Sequence, residues 1–262
     1  MGRKILFAEP ALFARLGNRD DYSIIKAGHC TDLPASNAGQ CAGVLKYTIW
    51  IFWKKKMLIF ERMRPEQRRD CSLLAARAQE DYVYLKNYIS DDTRRRRFLE
   101  CALEIEVTIN DGNTICLTAK EDNAIAAMAM LCPPGVHRPS VASYLKAGFW
   151  KAFWRGGIRD VIAWTMMDDK AGAPCHKLAE NAWYLSLLAV DPAKQGKRIG
   201  SRFLQECIIP TVKKGGGDKL CLFTNSEINR KFYVKNGFKE FDAREFSYKG
   251  KKLGSWSYCI DV

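Results

Sequence analysis

The rhythm of apolar and polar positions changes once along the chain. From Met1 to Gly43 neither a helical nor a strand period is sustained, and Gly17, Asn18, Asp20, Asp21, Pro34, Ser36, Asn37 and Gly39 read as turns and loops. Residues 1–56 are therefore expected to be a loosely ordered N-terminal extension, and residues 57–262 the folded domain. A second reading of the extension is a surface anchor, built from Ile49, Trp50, Phe52 and Trp53 beside Lys54, Lys55 and Lys56. The apolar run Tyr47–Trp53 falls far short of the ~20 residues that span a bilayer.

Past Met57 the pattern becomes regular. Leu58–Met63 predicts a short strand, and Pro65 at a first turn opens a helix to about Gln79. Further helices are predicted at Tyr82–Ile89 and from about Thr93, the latter with Phe98, Cys101, Ala102 and Ile105 at helical spacing. A turn at Asn110–Asn113 precedes strands at Thr114–Ala119 and Ala124–Leu131, and Val141–Trp154 reads as one helix. Trp183–Val190 is apolar almost throughout, as a strand covered on both faces should be. Ile199, Phe203, Leu204, Cys207 and Ile208 then form one helical stripe, whose end Pro210 disturbs. Lys219–Phe223 repeats the buried-strand pattern. Thr224-Asn225-Ser226-Glu227 has the spacing of a capping box, Gly237 that of a C-cap, and Phe238–Tyr248 with Lys252–Ile260 a hairpin around Gly250.

The 42 Lys+Arg against 29 Asp+Glu give +13, a surface that attracts anions without choosing among nucleic acid, acidic membrane and a polyanionic cofactor. The run Arg94–Arg97 reads as a solvated helix face. The ten cysteines form no CxxC pair, which removes zinc-finger spacing, and several lie inside apolar runs. They read as reduced thiols of a cytoplasmic protein. Tyr144, Phe149, Trp150, Phe153 and Trp154 read mostly as core.

One segment carries chemistry of its own. A buried strand ends at Val190-Asp191-Pro192, and Gln195-Gly196-Lys197-Arg198-Ile199-Gly200-Ser201 leads straight into a helix. A helix start presents unpaired N–H groups and the positive end of the dipole to an anion. Gly196 and Gly200 are expected to let the backbone approach a phosphate, while Lys197 and Arg198 add charge. No GxxxxGK[ST] loop is present. The segment resembles the acetyl-CoA motif Q/R-x-x-G-x-G/A of the GNAT N-acetyltransferases, with Gln195 and Gly200 at its first and last positions and Arg198 where glycine is usual. Asn229-x-x-Phe232-Tyr233-x-Lys235-x-Gly237-Phe238 resembles the late helix-to-strand signature of that family. Asn229 and Tyr233 share one helix face, and Ile228 and Phe232 are expected to pack on the sheet from the next.

The resemblance implies an α/β fold, with a mixed, partly splayed β-sheet flanked by α-helices. It implies acetyl-CoA as cosubstrate and a primary amine, on a small molecule or a peptide, as acceptor. Leu188, Ala189 and Val190 would hold the pantetheine arm by backbone hydrogen bonds, a form of strand addition. Gln195 to Ser201 would hold the phosphates, Asn229 would contribute to the cofactor site, and Tyr233 would protonate the departing thiolate. A proton acceptor for the amine is expected too. The strand before the loop offers Ser186 and no acid; His176, with Glu180 nearby, is the candidate, and a relayed water is the alternative. A non-catalytic acyl-CoA-binding module is the competing function, and nucleic-acid binding the weakest of the three. Gly200→Glu is expected to repel the phosphates and leave the fold intact, with Gly216→Glu as control. A chain that begins at Met57 is expected to bind acetyl-CoA as the full chain does, measured by calorimetry; an insoluble or non-binding fragment would move the domain boundary.

Overall fold

The computed structural model describes residues 57–110, 112–136 and 139–262; the expectations for residues 1–56 and for Asp111 lie outside them. The described residues build a seven-stranded sheet in the order β1-β2-β3-β4-β5-β7-β6. The strands are β1 Leu58–Arg62, β2 Ile115–Glu121, β3 Ala124–Cys132, β4 Trp183–Val190, β5 Lys219–Thr224, β6 Lys239–Tyr248 and β7 Lys251–Asp261. Every neighbouring pair is antiparallel except β4–β5. The two hairpins close on residues in the left-handed region, Asp122 and Asn123 in one and Lys249 and Gly250 in the other, which matches the twist of the flanking strands.

The helices are α1 Arg68–Gln79, α2 Val83–Tyr88, α3 Asp92–Ile109, α4 Val141–Lys146, α5 Trp150–Gly156, α6 Ile158–Leu178, α7 Ile199–Phe203, α8 Ile209–Lys214 and α9 Glu227–Lys235. Alternation along β3 divides the core. Met128 and Met130 face α1, α3 and Val161 of α6, while Ala127, Ala129 and Leu131 face Ile199, Phe203 and Leu204. Both faces are covered, so the strand reads as one apolar run. A row of three cysteines and a tyrosine crosses four strands in register, Cys132–Tyr184–Cys221–Cys259. Cys175 of α6 packs onto it. The eight described cysteines are free thiols filling core space.

Several expectations change. The single helix expected over Val141–Trp154 is two, broken where Gly148 takes φ 92°. The 21-residue α6 escapes the pattern because Gly172 and Pro174 lie inside it; burial of Val161, Met167, Ala171 and Cys175 outweighs their poor propensity. Pro210 does not end its helix: a wider π turn over Leu204–Ile208 precedes it, and α8 runs on to Lys214. Thr224 stays in β5 and Ser226 caps α9 without a side-chain bond, so the capping box does not form. Ile228 is 79% exposed instead of packing on the sheet. Trp150 and Trp154 are exposed as well, and only Tyr144, Phe149 and Phe153 of that aromatic set reach the core.

The arginine run is a solvated face at Arg94, Arg96 and Arg97 and departs from it at one position. Arg95 is 1% exposed. Its guanidinium donates to the carbonyls of Glu80 (2.7 Å), Ile89 (2.9 Å) and Ser90 (3.3 Å), and pairs with Asp92. One side chain thus satisfies the chain ends around α2 and ties α1 to α3. Arg94 reaches the Gly156 carbonyl at the end of α5, and Arg96 pairs with Glu80 at the surface. Arg95→Met is expected to destabilise the protein by about 3 kcal/mol, because buried carbonyls lose their donor. Arg96→Ala, which removes an exposed pair, should leave the unfolding midpoint nearly unchanged. Denaturant unfolding of the two variants checks the contrast.

Candidate active site at the parting of two strands

The β4–β5 ladder pairs Trp183 with Leu220 and Tyr184 with Cys221, and ends there. β4 stays paired to β3 as far as Val190, and β5 to β7 as far as Thr224. The edge of β4 that faces β5 therefore runs without a strand partner from Leu185 to Val190, past Leu188 and Ala189. Unmet backbone groups on such an edge can accept an extended ligand in place of a strand. Ser186 is an extra residue opposite the Met130–Leu131 step of β3, a bulge that bends β4 at the parting. Its hydroxyl donates to the Met130 carbonyl at 3.2 Å.

The turn after β4 is held from within. Asp191 accepts from the Ala193 amide at 2.9 Å and pairs with Arg77 of α1 at 3.2 Å. Gln195 donates its side-chain amide to the Val190 carbonyl at 3.2 Å, and Lys197 reaches the Ala193 carbonyl. Gly196 has φ 76°, with open space where a Cβ would stand. Arg198 has φ 61° and ψ 12°, in the left-handed region, and its carbonyl takes the first helical bond, from Arg202. The N–H groups of Ile199, Gly200 and Ser201 are thus left without an intrahelical acceptor. Gln195, Gly196, Lys197 and Arg198 are exposed. An anion at this turn would meet free amides and two cationic side chains.

Arg198 occupies a conformation that suits glycine, the residue usual at this place in the resembling family. One expectation needs correction here. Gly200 does not face outward. It is buried, and a Cβ on it would lie 3.3 Å from Phe232 and 3.4 Å from Val190. Its smallness lets α7 approach α9 and β4.

Across the parting, α9 brings Tyr233 into the core beside Phe232, Phe238 and Tyr258. Tyr233 is 8% exposed, and its hydroxyl makes no hydrogen bond to a described residue. Burial pushes its phenol up from the ordinary range, with a smaller push from Tyr82, so the proton stays on. Asn229 lies one turn earlier on α9, half-buried.

Tyr82, in the short link between α1 and α2, accepts from the Asn225 amide at 2.7 Å and lies 3.2 Å from the Thr224 hydroxyl. It thus spans from α1 to the end of β5. Burial pushes this phenol up as well. α6 crosses the same place with Asp168, Gly172 and His176 at successive turns. A Cβ on Gly172 would fall 2.4 Å from the His176 ring and 2.9 Å from Phe223, so only glycine permits this approach to β5. His176 is in the last turns of a helix, its ring edge-on to Tyr184 and Phe223. Half-buried Asp168 lies toward Tyr82: its charge acts on Tyr82 and Tyr84, and the neighbouring Met167 sulfur accepts from the Tyr84 hydroxyl at 3.1 Å. Tyr82 and Asp168 carry no motif in the sequence, and only the packing of α6 singles them out. Among the described residues no cluster of His, Cys, Asp or Glu could hold a metal ion.

Comparison with known proteins agrees with this architecture. Residues 159–240 match the model of the acetyltransferase (GNAT) domain. No curated protein matches the chain. Among solved structures, a polyamine N-acetyltransferase of Drosophila melanogaster superposes with a TM-score of 0.51 at 12% identity, over 79% of this chain and 100% of that one. A GCN5-related N-acetyltransferase of Rhodopseudomonas palustris gives 0.48 at 12% identity, over 78% and 95%. A GNAT family acetyltransferase of Brucella melitensis, in complex with acetyl-CoA, gives 0.42 at 14%, over 79% and 88%. Residues 159–240 are thus similar to a GNAT acetyltransferase domain, and the mixed sheet with flanking helices has the fold of that polyamine N-acetyltransferase.

The turn supplies a paired test. Gly200→Glu, expected from sequence to act by repulsion alone, should now lower stability by about 2 kcal/mol or more, because a charged side chain enters the Phe232–Val190 contact. Arg198→Gly should melt at or slightly above the parent, since about 1 kcal/mol of left-handed strain is relieved. Thermal melts of both variants read the two signs.

Proposed function

We propose that this protein moves the acetyl group of acetyl-CoA to a primary amine by direct attack in a ternary complex. The observation that carries the reading is the parting of β4 from β5 at the end where the Gln195–Ser201 turn opens its amides. The residues fit the cosubstrate: an unpaired strand edge matches the amides of a pantetheine arm, and a basic helix start matches phosphates. The thioester supplies an activated acetyl carbon. Leu188, Ala189 and Val190 hold the arm in extended form, and a backbone N–H of that edge polarises the carbonyl. Gln195 to Ser201 take the phosphates, and Asn229 adds a side-chain amide from α9.

The chain's own residues then handle two protons. The amine must lose one to attack. Asp168 takes it, on the face of the sheet that carries Tyr82. As the N–C bond forms and the C–S bond breaks, Tyr233 gives its proton to the thiolate, and the acylated nitrogen sheds its second proton, which restores the phenol through solvent. Burial holds the phenol in its protonated form, so it enters the step with a proton to give. A second reading gives the base role to His176, favoured by its ring standing at Phe223, just past the last β4–β5 pair. A non-catalytic acyl-CoA-binding module would share the cofactor site without the turnover.

A thiol-release assay over amines, amino acids, polyamines and peptides, beside calorimetry with acetyl-CoA, tests the reading. Tyr233→Phe should lower kcat about 10- to 100-fold and leave cofactor affinity within about twofold. Asp168→Asn should lower kcat/KM about 100-fold, with the deficit narrowing as pH rises, because more amine is then neutral in solution. His176→Gln should lower it less than about fivefold; a larger loss there, with Asp168→Asn near normal, exchanges the two roles. No acyl-CoA binding at all would sink the proposal, and binding without turnover would leave the binding module.

A further inference from the structure

Large apolar side chains at the surface are concentrated in one place. Thirteen are exposed among the described residues, and seven of them fall between positions 141 and 166: Val141, Leu145, Trp150, Trp154, Ile158, Ile162 and Met166. They repeat at helical spacing. Trp150 and Trp154 are one turn apart on α5, and Ile158, Ile162 and Met166 are successive turns of α6. Trp154 is 72% exposed, an unusual place for the largest apolar side chain. The opposite face of α6 is the one that packs, through Val161, Met167, Ala171 and Cys175.

The charges on the same helices have one sign. Lys146, Lys151, Arg155 and Arg159 are exposed, and no carboxylate between positions 141 and 166 is. Asp160, the one acid in that stretch, is half-buried and paired with Lys249 and Arg94. Lys151 lies 5.7 Å from the Trp150 ring. Tryptophan and aliphatic side chains bordered by lysine and arginine, without acids, match the boundary of a lipid bilayer. Indole rings settle at headgroup depth, aliphatic groups reach the acyl chains, and cations meet lipid phosphates. A protein partner of ordinary composition would not call for this exclusion of acids. No helix among the described residues is long and apolar enough to cross a membrane, so contact would be with one leaflet.

We propose that the outer face of α4 to α6 docks the protein on membranes rich in anionic phospholipid. Two tryptophans insert and four cations provide the attraction. α6 also carries Asp168 and His176 at the parting of the strands, so docking would hold the acceptor side of the site near the membrane surface.

Sedimentation of the full-length protein with vesicles of phosphatidylcholine, with and without phosphatidylserine, tests this. Binding should need phosphatidylserine and weaken with salt. Trp150→Ser with Trp154→Ser, and separately Lys151→Glu with Arg155→Glu, should each weaken it by about tenfold or more. Phe241→Ser, at an exposed apolar position on β6, should bind as the parent. All these side chains are exposed, and circular dichroism melts confirm that the variants fold. Parent-like binding by both double variants, equal binding to neutral vesicles, or no vesicle binding would overturn the proposal. So would a tryptophan variant that alters self-association in ultracentrifugation and leaves vesicle binding unchanged.

Discussion

Parallel pairing between β4 and β5 stops after two residues, and the features gathered at the site depend on that stop. Each strand is secured on its other side, β4 by β3 and β5 by β7, so the sheet does not need the missing rungs. The β4 edge keeps its polar groups available, and side chains from both faces come to the gap. Tyr233 arrives on α9, and Tyr82 from the α1–α2 link. An uninterrupted ladder would have used those groups and left no opening.

Two kinds of residue keep the gap open and shaped. Small ones allow close approach: Gly172 lets α6 lie against Phe223, and Gly200 lets α7 lie against Phe232 and Val190. Polar ones bind the margins. Tyr82 closes the end of β5 through Thr224 and Asn225, and Asp191 joins the turn after β4 to Arg77 of α1. Further out, Arg95 fixes α1, α2 and α3 relative to one another, so the Tyr82 link starts from a rigid base. Arg198 bears backbone strain at the turn, where its exposed cation stands beside free amides.

The helices between β3 and β4 give this chain much of its own character. α6 packs on the row of cysteine and tyrosine side chains around Cys221. On the proposed reading, the amine enters on the face that this helix covers. Its outward stripe is apolar and basic, so the same element offers one face to the site and the other to its surroundings.

Much was determined by the sequence alone. Continuous apolar runs announced β4 and β5 because both faces are buried. The glycine- and lysine-bearing turn announced a helix start, and the Asn229–Phe238 signature placed Tyr233 near a strand end. These are local patterns, set by spacing and backbone chemistry. Residues that matter through distant contacts were not legible in this way. Arg95 is one of four arginines alike in sequence, and only the meeting of α1, α2 and α3 buries it. Tyr82 lies 143 positions from the Asn225 amide it caps. Asp168 stands in a polar stretch of a helix that propensity argues against. Gly200 also has a reason that its motif does not show, the crowding of Phe232 and Val190 around it. Burial and proximity are properties of the packed chain, so only the tertiary structure could decide them.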